Sequence, residues 1–408
     1  MKSLGLSILA FILSTSIHAS LVDACTTAII SGKATIDGRP LLFKHRDSDS
    51  LDNKMMYFDD GKYEYIGLIN SSDSLGQEVW AGCNSTGFAI MNSASYNMNI
   101  DDTSSIKDRE GFIMKQALQE CATVKDFEIL LQELPKPIGA EANFGVIDAK
   151  GGAVYYETSN YDFKKYDVND LSIAPFGYII RTNYSYIGER DEDYGLIRYQ
   201  TAEDLFYTAY NSNTLSYKFL LRNVSRCLKH SLTNTDLTQQ MPIDSNNPHF
   251  VFFRDFIPRY YSSATVVVQG VTADEPSSLT TMWTILGFQL CSVTVPLWVK
   301  GGNQLPGILA ANGSENAPLC DFALKLKERC IPIQRGSGRN YLDLAAVLNQ
   351  RNNGILQKTA PLENSIIMET EVRLNKWRDD GIKPEPIRTF YEWLNQTILD
   401  HYRKEFNF

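Results

Sequence analysis

From Cys25 to about Asn97 the chain reads as short apolar strands separated by turns, and no other feature limits the fold as much. CTTAIIS (25–31) and RPLLFKHRD (39–47) are joined by GKATIDG, whose Asp37-Gly38 pair is a hairpin signal. YEYIGLIN, EVWAGCN and GFAIMNSASYN follow, the last two linked by the turn Ser85-Thr86. Residues 111–133 then read as helix in two pieces ending before Pro135. Strands return with NFGVIDAKGGAVYYETSNY and FGYIIRTNYSYIG, helices cover roughly 202–230, and ATVVVQGV, TTMWTILG and SVTVPLWV read as three buried strands. From about Cys320 the chain turns helical again, with a polar joint near 349–358. Hairpins rather than regular βαβ units predict an α+β fold of antiparallel sheets packed between helical layers.

The first residues have a different character. Lys2 precedes a short apolar run, LGLSILAFILSTSI (4–17), and small residues follow in HASLVDA (18–24). This is the pattern of a secretory signal peptide, too short for a stable spanning helix; the competing reading is a buried N-terminal helix. Signal peptidase prefers small residues one and three positions before its cut, and Val22-Asp23-Ala24 places that cut before Cys25. A cut after Ala19 would instead leave SLVDA, to be removed by a second, autocatalytic cleavage. The expected organisation is a signal peptide over 1–24, a main domain over 25–320 and a mainly helical segment over 321–408 packed on it. No further span is expected, because the apolar stretch from Met282 to Val299 is broken by Gly287, Gln289 and Pro296.

The formal charge of −9 argues against nucleic acid or an anionic membrane as the main partner. Neither CxxC nor HExxH occurs, so no metal is expected, and no cofactor is called for. Of seven cysteines, six remain if Cys25 stays free, and an exporting cell is able to pair them. Cys320 and Cys330 are not a pair on this reading: LCDFALKLKERC is helical, and ten residues of helix rise about 15 Å. Histidines are scarce. Beyond residue 24 only His45, His230, His249 and His401 remain, which constrains any acid–base chemistry.

A cysteine exposed as the first residue supplies its own base. Its thiol and α-amine sit on adjacent carbons, and such an amine titrates near pH 7.7–8.0. The amine therefore takes the thiol proton and later returns it to a leaving amine, with no histidine needed. Two other readings of Cys25 compete: a buried strand cysteine, and a lipoprotein cysteine carrying diacylglycerol. Leu21-Val22-Asp23-Ala24 loosely fits a lipobox, with Asp23 a poor match. Acylating the amine would abolish the base, so lipidation and catalysis exclude each other.

CTTAIISGKATIDGRPLLFKHRDSD resembles the start of the mature chain in choloylglycine hydrolases, penicillin V acylases and isopenicillin N acyltransferase-like enzymes. The resemblance continues through GCNSTGFAIMNSA, RTNYSYIG, and RYYSSATVVVQGV followed by TTMWTILG, in family order over roughly Cys25 to Trp298. Residues 321–408 carry no motif of this kind. The resemblance implies the four-layer αββα sandwich of N-terminal-nucleophile (Ntn) hydrolases. It also implies roles. Cys25 would be nucleophile and, through its amine, base. Asp47 would hold the amine, Asn183 would form part of the oxyanion hole by its side chain, and Asn92 would contribute to that hole, often by backbone. Arg259 falls near the family arginine beside the nucleophile.

One departure stands out. Where bile-salt hydrolases carry Arg-Asn-x-Asp, this chain has Lys44-His45-Arg46-Asp47. Strand alternation puts Lys44 and Arg46 on one face and His45 and Asp47 on the other, and leaves open which cation replaces the arginine. Taken without the resemblance, Asp47 reads equally as a polar strand end, Asn92 and Asn183 as turn or capping residues, and Arg259 as a surface ion-pair residue. Asn183 also begins a glycosylation sequon, as do Asn70, Asn84, Asn223, Asn312 and Asn395. A glycan on Asn183 would destroy the site, so the catalytic reading expects a bacterial, exported protein in the periplasm or outside the cell. The expected partner is a small acyl-amide substrate, with a homo-oligomer left open. The expected activity is hydrolysis of a linear amide of an N-acylated amine, amino acid or bile-salt-like conjugate through a Cys25 thioester, with two alternatives: acyl transfer to an amine, or a non-catalytic lipoprotein anchored through Cys25.

Overall fold

The computed structural model describes residues 24–190 and 194–408. Most of the proposed signal segment therefore lies outside the described residues. The hairpin read from GKATIDG forms: β1 (Thr26–Ile30) pairs antiparallel with β2 (Leu41–Asp47), with Ala28 opposite Phe43 and Thr26 opposite His45. Gly38 takes a left-handed φ of 74° in the turn, a conformation that glycine adopts without penalty. After Asp47 the chain makes a seven-stranded antiparallel meander. It comprises β3 (Asn53–Phe58), β4 (Tyr65–Asn70), β5 (Ala81–Asn84), β6 (Ala89–Ala94), β7 (Ala142–Ile147), β8 (Ala153–Thr158) and β9 (Phe163–Asp167). Between β6 and β7 lie helices α1 (Glu110–Glu120) and α2 (Val124–Glu133). A capping box of Thr123 and Asp126 starts α2 and separates it from α1.

β10 (Tyr178–Arg181) returns to β1, and the strand Ser262–Gln269 pairs with the other edge of β2. Strands Thr281–Leu286 and Val295–Leu297 complete a six-stranded antiparallel sheet in which β1 and β2 are interior. Period-two alternation divides the core. Ile29 and Leu42 face the meander and pack in one cluster with Leu68 and Met91. Ala28, Ile30 and Phe43 face the other way, toward Phe206 of α3 (Leu196–Asn211) and Trp283. On the outer face of the meander, α1 and α2 bury Met114, Leu118 and Phe127 against Phe88, Phe144 and Tyr156. Helix, sheet, sheet, helix is the layering expected, and burial on both faces is why Ala28–Ile30 and Leu41–Phe43 are unbroken apolar runs.

The helices Pro318–Cys330, Ile355–Asp380 and Pro384–Phe406 share the inter-sheet cluster through Leu326, Trp377, Tyr391 and Tyr402. Tyr391 Oη accepts the Trp298 backbone N–H at 2.9 Å, and the Trp298 and Trp377 rings meet edge-on at 5.0 Å. Differences from the sequence reading are local. β3 and β9 were not expected, because NKMMYF has few β-branched residues and FKKYD is a polar edge strand. The helical stretch expected at 202–230 begins at Leu196 and breaks after Asn211, resuming only as short turns from Tyr217 to Val224. Cys320 and Cys330 do lie in one helix; the thiol nearest Cys330 is that of Cys291, 3.5 Å away.

Candidate active site

The fold brings the two ends of the expected motif set together at the start of β1. Cys25 is 5% exposed and directly precedes the interior strand. With Ala24 attached, the Cys25 nitrogen is a peptide N–H. That N–H donates to Asn183 Oδ1 at 3.0 Å. Asn183 follows β10, the neighbour of β1, and its Nδ2 donates to the Ala94 carbonyl at the end of β6. The residue therefore links both sheets beside Cys25. It is fully buried, which leaves no room for a glycan on the folded chain.

Asp47, at the end of β2, lies beside the segment entering β1. Its Oδ1 accepts the Ser262 hydroxyl at 2.5 Å, and its Oδ2 faces Arg259 Nη2 at 2.7 Å. The second contact is a charge contact without hydrogen-bond alignment, so Oδ2 is buried and still lacks a directed donor. Arg259 also reaches the carbonyl of Ala24, the residue before Cys25, at 3.3 Å. Its pairing with a 1%-exposed carboxylate removes the reading of Arg259 as a surface ion-pair residue.

The four-residue departure from the family motif separates as strand alternation requires. Lys44 crosses to the other sheet, donating to Asn92 Oδ1 at 2.6 Å and to the Trp80 carbonyl at 2.8 Å. Asn92 thus joins the group through Lys44, and through Ala94, two residues on, which takes the Asn183 amide. Arg46 points the same way but leads elsewhere, to Asn53, Asn70 and Ser48, with its guanidinium over the Trp80 ring at 5.1 Å. Lys44 is the cation directed at the candidate oxyanion residues.

His45 shares the other face with Asp47. Its Nε2 lies 2.9 Å from Ser262 Oγ, and its Nδ1 lies 3.2 Å from Thr265 Oγ1. Since Ser262 donates its one proton to Asp47, Nε2 must carry a proton and donate to Ser262, leaving Nδ1 to accept from Thr265. Gln289 Nε2 donates to the same Thr265 oxygen and extends the chain inward. Complete burial pushes the His45 pKa down to about 4 against the pull of Asp47, so this imidazole is neutral across ordinary pH. The Ser, His and Asp side chains are in the wrong order for a hydrolytic triad, because serine bridges the other two.

Sequence reasoning missed Arg198, in the first turn of α3. Its guanidinium is fully buried and donates to the Cys25 carbonyl at 2.5 Å, to Thr26 Oγ1 at 3.0 Å and to Asn183 Oδ1 at 2.8 Å. Arg198 lies ahead of the helix expected at 202–230, and a lone arginine there gave no signal; the nearest was Gly195, which caps α3 with φ of 88°. A cavity of about 300 Å³ opens beside Asn92 and Ala94, with Trp80, Tyr96, Glu110 and Glu141 in its wall. Burial pushes the Glu110 carboxyl up to about 7. A larger cavity, about 740 Å³, lies between α3 and residues 214–236 and contains none of the site residues named above. Among the described residues, no His, Cys, Asp and Glu cluster has the composition of a metal site.

Residues 37–226 match the model of the acyl-coenzyme A:6-aminopenicillanic acid acyl-transferase family. That segment carries Asp47, Asn92, Asn183 and Arg198, and stops short of Cys25 and Arg259. No curated protein matches the chain in sequence. Among solved structures, an N-acylethanolamine-hydrolyzing acid amidase ortholog from Caenorhabditis elegans is similar at 14% identity, covering 60% of this chain and 92% of its own, with a TM-score of 0.39. The conjugated bile acid hydrolase of Clostridium perfringens is similar at 11% identity, covering 71% and 94%, with a TM-score of 0.38. Penicillin V acylase from Agrobacterium tumefaciens is similar at 11% identity, covering 67% and 86%, also with a TM-score of 0.38. The chain thus has antiparallel sheets layered between helices, and over residues 37–226 it is similar to the acyl-coenzyme A:6-aminopenicillanic acid acyl-transferase family.

Proposed function

We propose that the protein is an exported amidohydrolase that cleaves a linear C–N bond of an N-acylated amine or amino acid through a Cys25 thioester. One observation supports this reading: the Cys25 nitrogen, basic only once it is a free α-amine, is held by Asn183, while His45 on the neighbouring strand is engaged by Ser262 and Thr265. Removal of residues 1–24 turns that nitrogen into an α-amine next to Asp47, whose Oδ2 lacks a directed donor.

The chemistry then follows. The amine takes the Cys25 proton, and the sulfur attacks the amide carbon. The oxyanion formed is stabilised by Asn183 Nδ2, which keeps its bond to the Ala94 carbonyl, and by backbone near Asn92; each such donor is worth about 2.7–4 kcal/mol. The protonated amine gives its proton to the leaving nitrogen, and the C–N bond breaks. Water, deprotonated by the same amine, releases the acid and restores the thiol. The cavity beside Asn92 would receive one arm of the substrate.

Acyl transfer to an amine is the second reading, favoured by the name of the matching family. The lipoprotein reading sits poorly with a buried Cys25 whose nitrogen is bonded inside the protein. The test is a screen of N-acyl 4-nitroanilides of graded chain length, with and without hydroxylamine as acceptor. Cys25→Ala should abolish nitroaniline release while the protein stays folded. Hydroxamate exceeding free acid at low acceptor concentration would assign transfer; full activity in Cys25→Ala would remove the nucleophile.

A further inference from the structure

We infer that Arg198 is a positioning residue of this site, one that fixes which way the Asn183 amide points and anchors the strand carrying Cys25. The inference rests on the Cys25 reading above and concerns how the nucleophile and the oxyanion donor are held.

The argument starts from donor and acceptor types. Arg198 has only N–H donors, and Cys25 N–H is also a donor; both converge on one atom of Asn183, at 2.8 and 3.0 Å. That atom must be the carbonyl oxygen. A flipped amide would set its NH2 against two donors while facing the Ala94 carbonyl with oxygen, a loss of three hydrogen bonds in a dry interior. Nδ2 is thereby committed to the side where a substrate oxyanion would form. The same guanidinium holds the Cys25 carbonyl and Thr26 Oγ1, so nucleophile and oxyanion donor are fixed to a single rigid fork.

The sequence makes room for this fork. A Cβ at Gly195 would lie 2.3 Å from Arg198 Nη2 and 3.0 Å from Thr182 Cβ, so only glycine fits at that position. Burying a cation this deeply is costly, and Arg198 has only partial compensation. Burial, followed by repulsion from Arg259, pushes its pKa down to about 9, against the pull of Asp47, Cys25 and Asp255. It still carries its charge at neutral pH. The charged groups beside Cys25 are Arg198, which shares Asn183 Oδ1 with the Cys25 nitrogen, and Arg259, which reaches the Ala24 carbonyl and faces Asp47. A fixed cation beside a freed Cys25 amine disfavours its ammonium form and helps keep it a base.

The test uses the processed chain beginning at Cys25, in the variants Arg198→Met and Arg198→Lys, assayed with the most active N-acyl 4-nitroanilide. Arg198→Met should lower kcat by roughly 10–100-fold with KM changed less than threefold, since the lost interaction acts in the transition state. Its acid limb of kcat/KM should move to higher pH by about half a unit or more, because the amine loses a cationic neighbour. Arg198→Lys should bring the limb back while kcat stays low, since an ammonium keeps the charge but not the fork. A merely structural arginine would move neither the limb nor its rescue. A folded Arg198→Met or Arg198→Lys protein with wild-type kcat and an unmoved limb overturns the inference. If Met unfolds the chain, the Lys variant decides: a restored limb with reduced kcat supports it. Failure of the Cys25 reading is seen separately, as activity surviving in Cys25→Ala.

Discussion

Asp47 shows how one residue in this site depends on others. Ser262 Oγ donates to it while accepting from the Arg259 backbone N–H and from His45. Ser262→Ala would leave the carboxylate oxygen and the His45 N–H without that partner. A buried polar group left unsatisfied costs about 1–3 kcal/mol, so thermal melts should show a loss in that range together with reduced kcat. His45 makes an independent, pH-dependent claim. Its folded pKa of about 4 lies below its ordinary 6.5, so between these values the unfolded chain binds a proton that the folded chain does not. Stability is therefore complete above about pH 6.5 and falls as pH drops toward 4, by about 3 kcal/mol from this group. Urea titrations from pH 7 to 4 should show that slope, and His45→Gln should flatten it; an unchanged slope would refute the assignment. At this scale the sequence was a partial guide. Asp47 and Asn183 were readable because short motifs carry them, and the alternation of Lys44 with His45 followed from strand geometry. Arg198 was not readable, since its role arises where a helix start meets a strand start 173 residues away in the chain.

Elements place these residues, and two of them make distinct claims. α3 begins at a glycine because the Arg198 fork occupies the space of a side chain. Gly195→Ala adds left-handed strain of about 1–3 kcal/mol and displaces the fork. It should lower Tm by several degrees and reduce activity together, whereas a purely conformational effect would lower Tm alone. The helix Pro318–Cys330 supports the opposite side. Its Lys327 is 4% exposed, donates to the Tyr260 carbonyl and lies over the Tyr260 ring, next to Arg259. Burial pushes this ammonium down to about 8. Lys327→Met should loosen the loop from Arg259 to Ser262 and reduce kcat, with KM nearly unchanged. A variant with wild-type kcat would show that Lys327 does not support the site. Nothing in the sequence of that helix, read in isolation, pointed to the site, because its contact is to a backbone oxygen and leaves no pairwise signature.

For the whole molecule, the layered architecture was the most legible feature. Hairpin spacing and apolar runs identified most strands of both sheets; of the two that escaped notice, β3 has no β-branched residue and β9 is a polar edge strand. How the chain closes was not legible. β10 and the strand Ser262–Gln269 take up flanking positions around β1 and β2 from far along the chain, and local pattern does not encode such pairings. That closure is what gathers Cys25, Asp47, Asn183 and Arg259 at one strand end. Its functional meaning depends on Cys25 becoming the first residue. Intact-mass analysis of the protein recovered from the exporting cell's periplasm or medium tests this most directly. The expected mass is that of a chain starting at Cys25 with an unmodified amine and thiol. A diacylglyceryl adduct on Cys25, or a stable chain that begins upstream of it, would contradict the account.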